Sequence, residues 1–283
     1  MNDASTKIRL ESVTKIFGVK DSKRRQVPAV ENVTLEIPTG EFAVMLGPSG
    51  CGKTTILRLI AGLETPTSGV VGVNEKAVAG PSKDRGMVFQ TYTTFPWLTV
   101  KENIQFGLAF ENRGPGHEIE TLAQSYVDLV GLRGFENAYP GTLSGGMRQR
   151  VAIARTLISD PDIILMDEPF GALDSQTRAI MQEQLEQIWE HLDKTIVFVT
   201  HDLEEAIFLA DSIFVLTPRP ARLKQIVRVP LPRPRAAAIK TSDEFLELRR
   251  ALIEMTHADA AEVASSADSV LRRRRRYRAS RSQ

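Results

Sequence analysis

A lysine and two threonines directly behind a run of glycines form the most chemically loaded stretch of the chain. In GPSGCGKTT, residues Gly47, Pro48, Ser49, Gly50, Cys51, Gly52, Lys53, Thr54 and Thr55 follow the phosphate-loop spacing of glycine, four residues, then glycine, lysine and a hydroxyl residue. The glycines let successive backbone N–H groups turn inward around an anion, and the N-terminus of a following helix adds partial positive charge. Lys53 then reaches the outer phosphates of a nucleoside triphosphate, and the Thr54 hydroxyl is a ligand for Mg2+. A second feature is acid at a strand end, where the apolar run Ile163–Met166 passes straight into Asp167, Glu168 and Pro169. Beside a phosphate loop, Asp167 can hold Mg2+ or its water, and Glu168 is placed to take a proton from water attacking the terminal phosphate. A third is Leu143-Ser144-Gly145-Gly146-Met147, which opens a helix with a serine and two glycines. That pattern predicts another anion-binding N-terminus, with Ser144 as its cap or as a phosphate ligand.

These groups need elements to hold them. Phe42–Leu46 is apolar between Gly40 and Gly47 and predicts a buried strand entering the loop. Ile56, Ile60 and Leu63, with Leu57 and Leu59 widening the face, predict the helix that leaves it. Upstream, Ile8, Leu10, Val13 and Ile16 alternate weakly, as in an early strand pair, and Val33–Ile37 alternates cleanly. Short β segments are expected at Val70–Val73 and at Met87–Phe89, the latter ending at Gln90. Residues 91–159 read as mainly helical, with a helix from about Val100 and another over Ile119–Val130 carrying Leu122, Tyr126, Leu129 and Val130. Strand patterns resume at Ile163–Met166, Thr195–Thr200 and Ser212–Leu216. A helix over Thr177–Leu192 turns Ile180, Met181, Leu185, Ile188 and Leu192 inward. Apolar runs separated by helices predict a parallel sheet with right-handed crossovers, into which the block 91–159 is inserted. Pro218, Pro220, Pro230, Pro232 and Pro234 predict an extended link. A final helix is expected with Thr241 as N-cap, Glu244 completing a capping box, and a stripe of Phe245, Leu248, Leu252 and Met255.

With 283 residues, 42% of them hydrophobic, the chain holds one large domain plus an appendage, or two modest domains. A net charge of +1 points to no acidic partner, although Arg272–Arg281 is strongly basic. That tail reads as a solvated end, with contact to nucleic acid or anionic lipid as the alternative. Cys51 is the only cysteine, so no intrachain disulfide forms, which fits a reducing compartment. Its place beside a helix N-terminus favours the thiolate, the other reading being a small buried filler. Met1–Arg9 lacks the apolar core of a secretory signal, and no apolar run approaches the ~18 residues that span a bilayer. Any membrane role is therefore expected to come through a partner.

Taken together, these motifs resemble the ATP-binding subunits of ABC transporters. LSGGMRQR, from Leu143, is similar to the family signature, and ILMDEP, from Ile164, to its strand-end acidic motif. The likeness spans about residues 7–234, with the motifs in the family's order. It implies an α/β P-loop NTPase (RecA-like) core with a parallel sheet, an N-terminal antiparallel β subdomain and an inserted α-helical subdomain at about 91–159. The ATPase domain would be 1–234, and 235–283 an extension. The resemblance also implies a head-to-tail homodimer, in which Ser144, Gly145 and Gly146 of one copy close over ATP and Mg2+ on the other's phosphate loop. By the same likeness Gln90 is the glutamine that meets Mg2+ and water and senses the transmembrane partner. Asp174, in Ala172-Leu173-Asp174, reaches across the dimer, His201 touches the γ-phosphate, and Phe17 stacks on adenine.

The stretches DRGMVFQ, QTYTTFPWLTVKENI, THDLEEAIFLAD and VPLPRPR are similar to the nitrate/sulfonate/taurine import branch. That branch implies an ATPase at the cytoplasmic face of the membrane, energising uptake of a small oxyanion or sulfonate. Its partners would be integral membrane permease subunits and, indirectly, a periplasmic or lipid-anchored solute-binding protein. The permease would dock near Gln90–Leu98, where Phe95 and Trp97 either face it or pack into the core. The alternatives are an importer ATPase for another solute, or a soluble ABC-type ATPase acting on nucleic acid or ribosomes. The chain carries neither the long coiled-coil insertion of DNA-repair members nor the second cassette of translation factors, so nucleic acid is not an expected partner.

Overall fold

The computed structural model describes residues 5–18, 26–91, 93–108, 116–190 and 194–256. Strands β1 (Thr6–Phe17), β2 (Val27–Pro38), β4 (Ser68–Val73) and β5 (Lys76–Ala77) form an antiparallel sheet in the order β2-β1-β4-β5. The alternation over residues 7–17 therefore belongs to one long strand rather than a pair; shifts in register between Leu10 and Val13 account for its weakness.

The second sheet has the order β10-β9-β3-β8-β7-β6. In it β3 (Phe42–Leu46), β6 (Arg85–Val88), β7 (Ile163–Asp167), β8 (Thr195–Thr200) and β9 (Ser212–Leu216) run parallel, and β10 (Leu223–Arg228) is antiparallel at the edge. Every residue of β3, β7, β8 and β9 is buried, because one helix and the antiparallel sheet cover one face and the remaining helices the other; this is why these strands read as unbroken apolar runs. The helices are α1 (Lys53–Ala61), α2 (Val100–Gln105), α3 (Gly116–Leu129), α4 (Gly145–Leu157), α5 (Ser175–Glu190), α6 (Leu203–Leu209) and α7 (243–256). Helices α2 to α4 lie between the paired strands β6 and β7.

Register is what matters for chemistry. Leu46 pairs with Thr200 and Asp167 with Val199, so β3, β8 and β7 end side by side. The phosphate-loop residues, Glu168 and His201 each follow one of these strands and emerge at the same carboxyl edge, where open α/β sheets bind ligands.

Several local expectations change. Helix α1 stops at Gly62, whose φ of 76° is left-handed and whose amide bonds to the Arg58 and Leu59 carbonyls, so Leu63 lies beyond the helix and is exposed. Leu122, Leu129 and Ile180 are exposed; Ala123, Val127 and Val130 on one side, and Met181, Leu185 and Ile188 on the other, take the inward positions. The proline-rich stretch is no free link. Prolines bracket β10 at the sheet edge, where a missing N–H costs no ladder bond, and Val229, Leu231 and Arg235 beyond it are buried.

Helix α7 is capped by Ser242, whose hydroxyl accepts from the Phe245 amide at 3.2 Å. Thr241 instead ends a short 3-10 turn, and Phe245 rather than Glu244 occupies the third helical position. The stripe does bury Phe245 and Leu252. Residues 20–25, Leu192 and the arginine-rich tail lie outside the described residues. Among the described residues, no helix is long and apolar enough to cross a membrane.

Candidate active site

The phosphate-loop segment is shaped by its neighbours. Gly52, with a φ of 131°, caps α1, and a Cβ there would stand 2.4 Å from the Ala29 carbonyl oxygen and 3.0 Å from the Ala221 Cβ. Both neighbours are fixed, because β2 is tied to the segment after β9: Ala221 donates to Ala29 at 2.9 Å and Glu31 to Ala221 at 3.0 Å. Only glycine combines that backbone with that clearance. The Lys53 ammonium is buried, donates to the carbonyls of Gly47 (2.8 Å) and Pro48 (3.0 Å), and lies 3.5 Å from Glu168 Oε1. It is a positive charge held in place by the loop itself.

Glu168 has a φ of 43°, which costs a non-glycine residue about 1–3 kcal/mol and persists because its surroundings fix it. Its amide donates to Val199 at 3.0 Å and its carbonyl accepts from Gly171 at 3.1 Å. Its Oε2 lies 3.3 Å from His201 Nδ1, so Lys53, Glu168 and His201 form a row across the strand ends.

Beside this row Thr54 Oγ1 donates to Asp167 Oδ1 at 2.9 Å. Burial pushes the Asp167 carboxyl above the usual range, against the lowering pull of Thr54, Arg58 and Lys53. A hard divalent cation shared by this hydroxyl and carboxylate would offset the cost of burying the charge, so the donor set fits Mg2+.

A cavity of about 170 Å³ is lined by Phe17, Ala29, Gly50, Gly52, Lys53, Thr54, Thr55, Glu168 and Arg219. Phe17 is half-exposed there, with Lys15 Nζ 5.0 Å from its ring centroid. Arg219 escaped the sequence reading, hidden among prolines taken for a link; its Nε donates to the Pro28 carbonyl at 3.2 Å. By contrast Gln90, Ser144, Gly145, Gly146 and Asp174 form no part of this lining. Ser144 caps α4, accepting from Met147 at 3.3 Å. Asp174 accepts from the Thr177 amide at 3.0 Å, which holds its carboxyl below the usual range. A Cβ on Gly146 would lie 2.7 Å from Thr177 Cγ2, so the first turns of α4 and α5 abut. The serine-glycine motif and Asp174 thus belong to adjoining turns outside the chain's own phosphate cavity.

Cys51 is buried, and burial pushes its thiol up by more than Lys53 lowers it, so the thiolate is not favoured. Native protein at neutral pH is therefore expected to react with a maleimide at least about tenfold more slowly than denatured protein; equal rates would contradict this burial. Trp97 is 70% exposed, whereas Phe95 packs on Phe106 (centroids 4.4 Å apart) with the Arg155 guanidinium 5.1 Å from its ring.

Residues 30–171 match the family model described as ABC transporter. The chain is 48% identical over 241 residues to the nitrate import ATP-binding protein NrtD of Synechocystis sp., a match covering 83% of this chain and 90% of the relative. It is 40% identical over 247 residues to the aliphatic sulfonates import ATP-binding protein SsuB of Bacillus cereus, covering 87% and 94%. Among solved structures it is similar to a dimeric post-hydrolysis state of the ATP-binding cassette MJ0796 bound to ADP and Pi, with a TM-score of 0.69 and 34% identity, covering 80% of this chain and all of the other.

Proposed function

The chain belongs to the ABC transporter family, and from that membership we propose that it is the ATP-hydrolysing subunit of an importer for a small oxyanion or sulfonate. One observation carries the reading: Lys53, Thr54, Asp167, Glu168 and His201 converge at the carboxyl edge of the parallel sheet. Relatives named for nitrate and aliphatic sulfonate import support the solute class, with taurine in the same chemical group.

In this reading ATP lies with its base at Phe17 and its phosphates along Gly47–Thr55, with Arg219 a further contact. Lys53 exchanges loop carbonyls for phosphate oxygens. Glu168 takes a proton from water as the water oxygen bonds to the γ-phosphorus. The bond to the bridging oxygen breaks, leaving its electron pair on ADP, and His201 holds the γ-phosphate oxygens. Mg2+ would be held by Thr54 and Asp167, with Gln90 near, and when bound would neutralise charge on the phosphate oxygens. Ser144, Gly145, Gly146 and Asp174 serve the cavity of a second copy in a head-to-tail homodimer, consistent with their place outside this chain's own cavity. Residues 1–234, with the helical block 91–159, make up the ATPase domain, and 235–283 the extension. The subunit works at the cytoplasmic face of the membrane against permease subunits, Trp97 offering them an exposed aromatic anchor. A solute-binding protein delivers the cargo from the far side.

The test is co-purification with the permease and reconstitution with the binding protein. ATPase activity is expected to rise several-fold with nitrate, an alkanesulfonate or taurine. A complex that forms but answers none of the three would overturn the solute class, and failure to associate with any permease would overturn the transport role.

A further inference from the structure

The segment from Arg233 onward is fastened to α5 and α6, the helices that flank the His201 turn. Along α5, Glu186 Oε1 accepts from Arg233 Nη1 (3.0 Å) and from the Arg235 amide (3.1 Å), Glu183 Oε1 accepts from the Ala237 amide (2.9 Å), and Gln182 Oε1 accepts from Lys240 Nζ (2.9 Å). On α6, the Arg235 guanidinium donates to the carbonyls of Ile207, Phe208 and Ala210 at the helix C-terminus, where a cation is favoured. Arg249 on α7 lies 3.2 Å from Glu204 in the first turn of α6.

One rung of this ladder continues inward. Gln182 Nε2 donates to Glu205 Oε1 at 3.1 Å. The other oxygen of Glu205 accepts from the Thr200 hydroxyl, which itself accepts from the Asp202 amide at 3.0 Å. Gln182, Glu205 and Thr200 are each at most 4% exposed, and Thr200 and Asp202 flank His201. Lys240 and Glu205 together fix the Gln182 amide, because the flipped amide would set its NH2 against the Lys240 ammonium and its oxygen against the Glu205 carboxylate. Burial pushes that carboxyl up, and the hydrogen bonds from Thr200 and Gln182 pull it back only in part, so its two oxygens are held in place by this pair of donors.

We infer that residues 235–256 form a clasp that positions His201 through the chain Lys240–Gln182–Glu205–Thr200, so that the seating of the C-terminal segment sets the rate of ATP turnover. The inference rests on the reading of His201 as a γ-phosphate contact. Lys240 is a positioning residue. Neither it nor any other residue of 235–256 lines the phosphate cavity or the small cleft beside His201.

The experiment is steady-state ATP hydrolysis by the full-length chain. Lys240→Ala is expected to lower kcat about five- to tenfold with KM for ATP nearly unchanged, because the contact acts on turnover rather than nucleotide binding. Lys240→Arg, which keeps a donor and the charge, should restore most of the rate. Combined with Glu205→Gln, the loss should be clearly less than the product of the two single losses, as for members of one network. The clasp is overturned if Lys240→Ala keeps the wild-type kcat, if its effect falls on KM, if arginine does not rescue, or if the double-variant losses simply multiply. His201→Ala serves as the separate control: hydrolysis at the wild-type rate there would sink the assignment of His201, and the clasp with it, whereas lost activity alongside an unaffected Lys240→Ala would sink the clasp alone.

Discussion

Glu168→Gln is expected to cut ATP hydrolysis by about 10²- to 10⁴-fold, the range of a general base, while leaving ATP binding intact. Glutamine keeps the size of the side chain and a polar end about where the carboxylate lies, 3.3 Å from His201, but it cannot take a proton from water. The substitution also removes a negative charge 3.5 Å from Lys53, so the phosphates of the nucleotide meet less repulsion rather than more. Hydrolysis should stop after closure, and two copies with ATP trapped between them should accumulate. Phosphate release gives the rate, and scattering in saturating ATP gives the particle size. Turnover at the wild-type rate would remove Glu168 from the role of base.

Gly52→Ala is expected to damage the site at an earlier step, through shape instead of chemistry. A methyl group there meets backbone and a neighbouring Cβ, neither the flexible end of a side chain, and its φ of 131° is strained for any L-residue. The loop must relax into another conformation, and recovering the anion-binding one costs about 1–3 kcal/mol of backbone strain on top of the contact, so affinity for ATP should fall at least about tenfold. Titration with a fluorescent ATP analogue measures this, with circular dichroism to check that the fold survives. Unaltered affinity would mean that the loop binds phosphate in some other geometry.

Much of this site was legible because its motifs are local. The phosphate loop needs glycines at fixed offsets between a buried strand and a helix, and residues 42–61 spell out all three parts. The DEP acids follow four apolar residues for the same reason. What escaped was set by distant partners. Arg219 and β10 were hidden because prolines argue locally for irregular chain, whereas the sheet edge tolerates them on either side of a short strand. Cys51 stayed open between two readings because proximity to a helix N-terminus is visible in sequence and desolvation is not. Leu129 and Ile180 look like core residues by type; only the packed structure shows which side of each helix has a neighbour.

The ties between Pro28–Glu31 and Arg219–Ala221 join the sheet that carries Phe17 to the segment after β9, and Gly52, next to Lys53, packs against both Ala29 and Ala221. In the proposed reading, the platform for the base and the seat for the phosphates therefore share one frame. A nucleotide meets a receptacle already assembled, and little of its binding energy is lost to ordering the protein. The power stroke of such a machine must pivot elsewhere, and the receptacle travels with the moving part as rigid cargo.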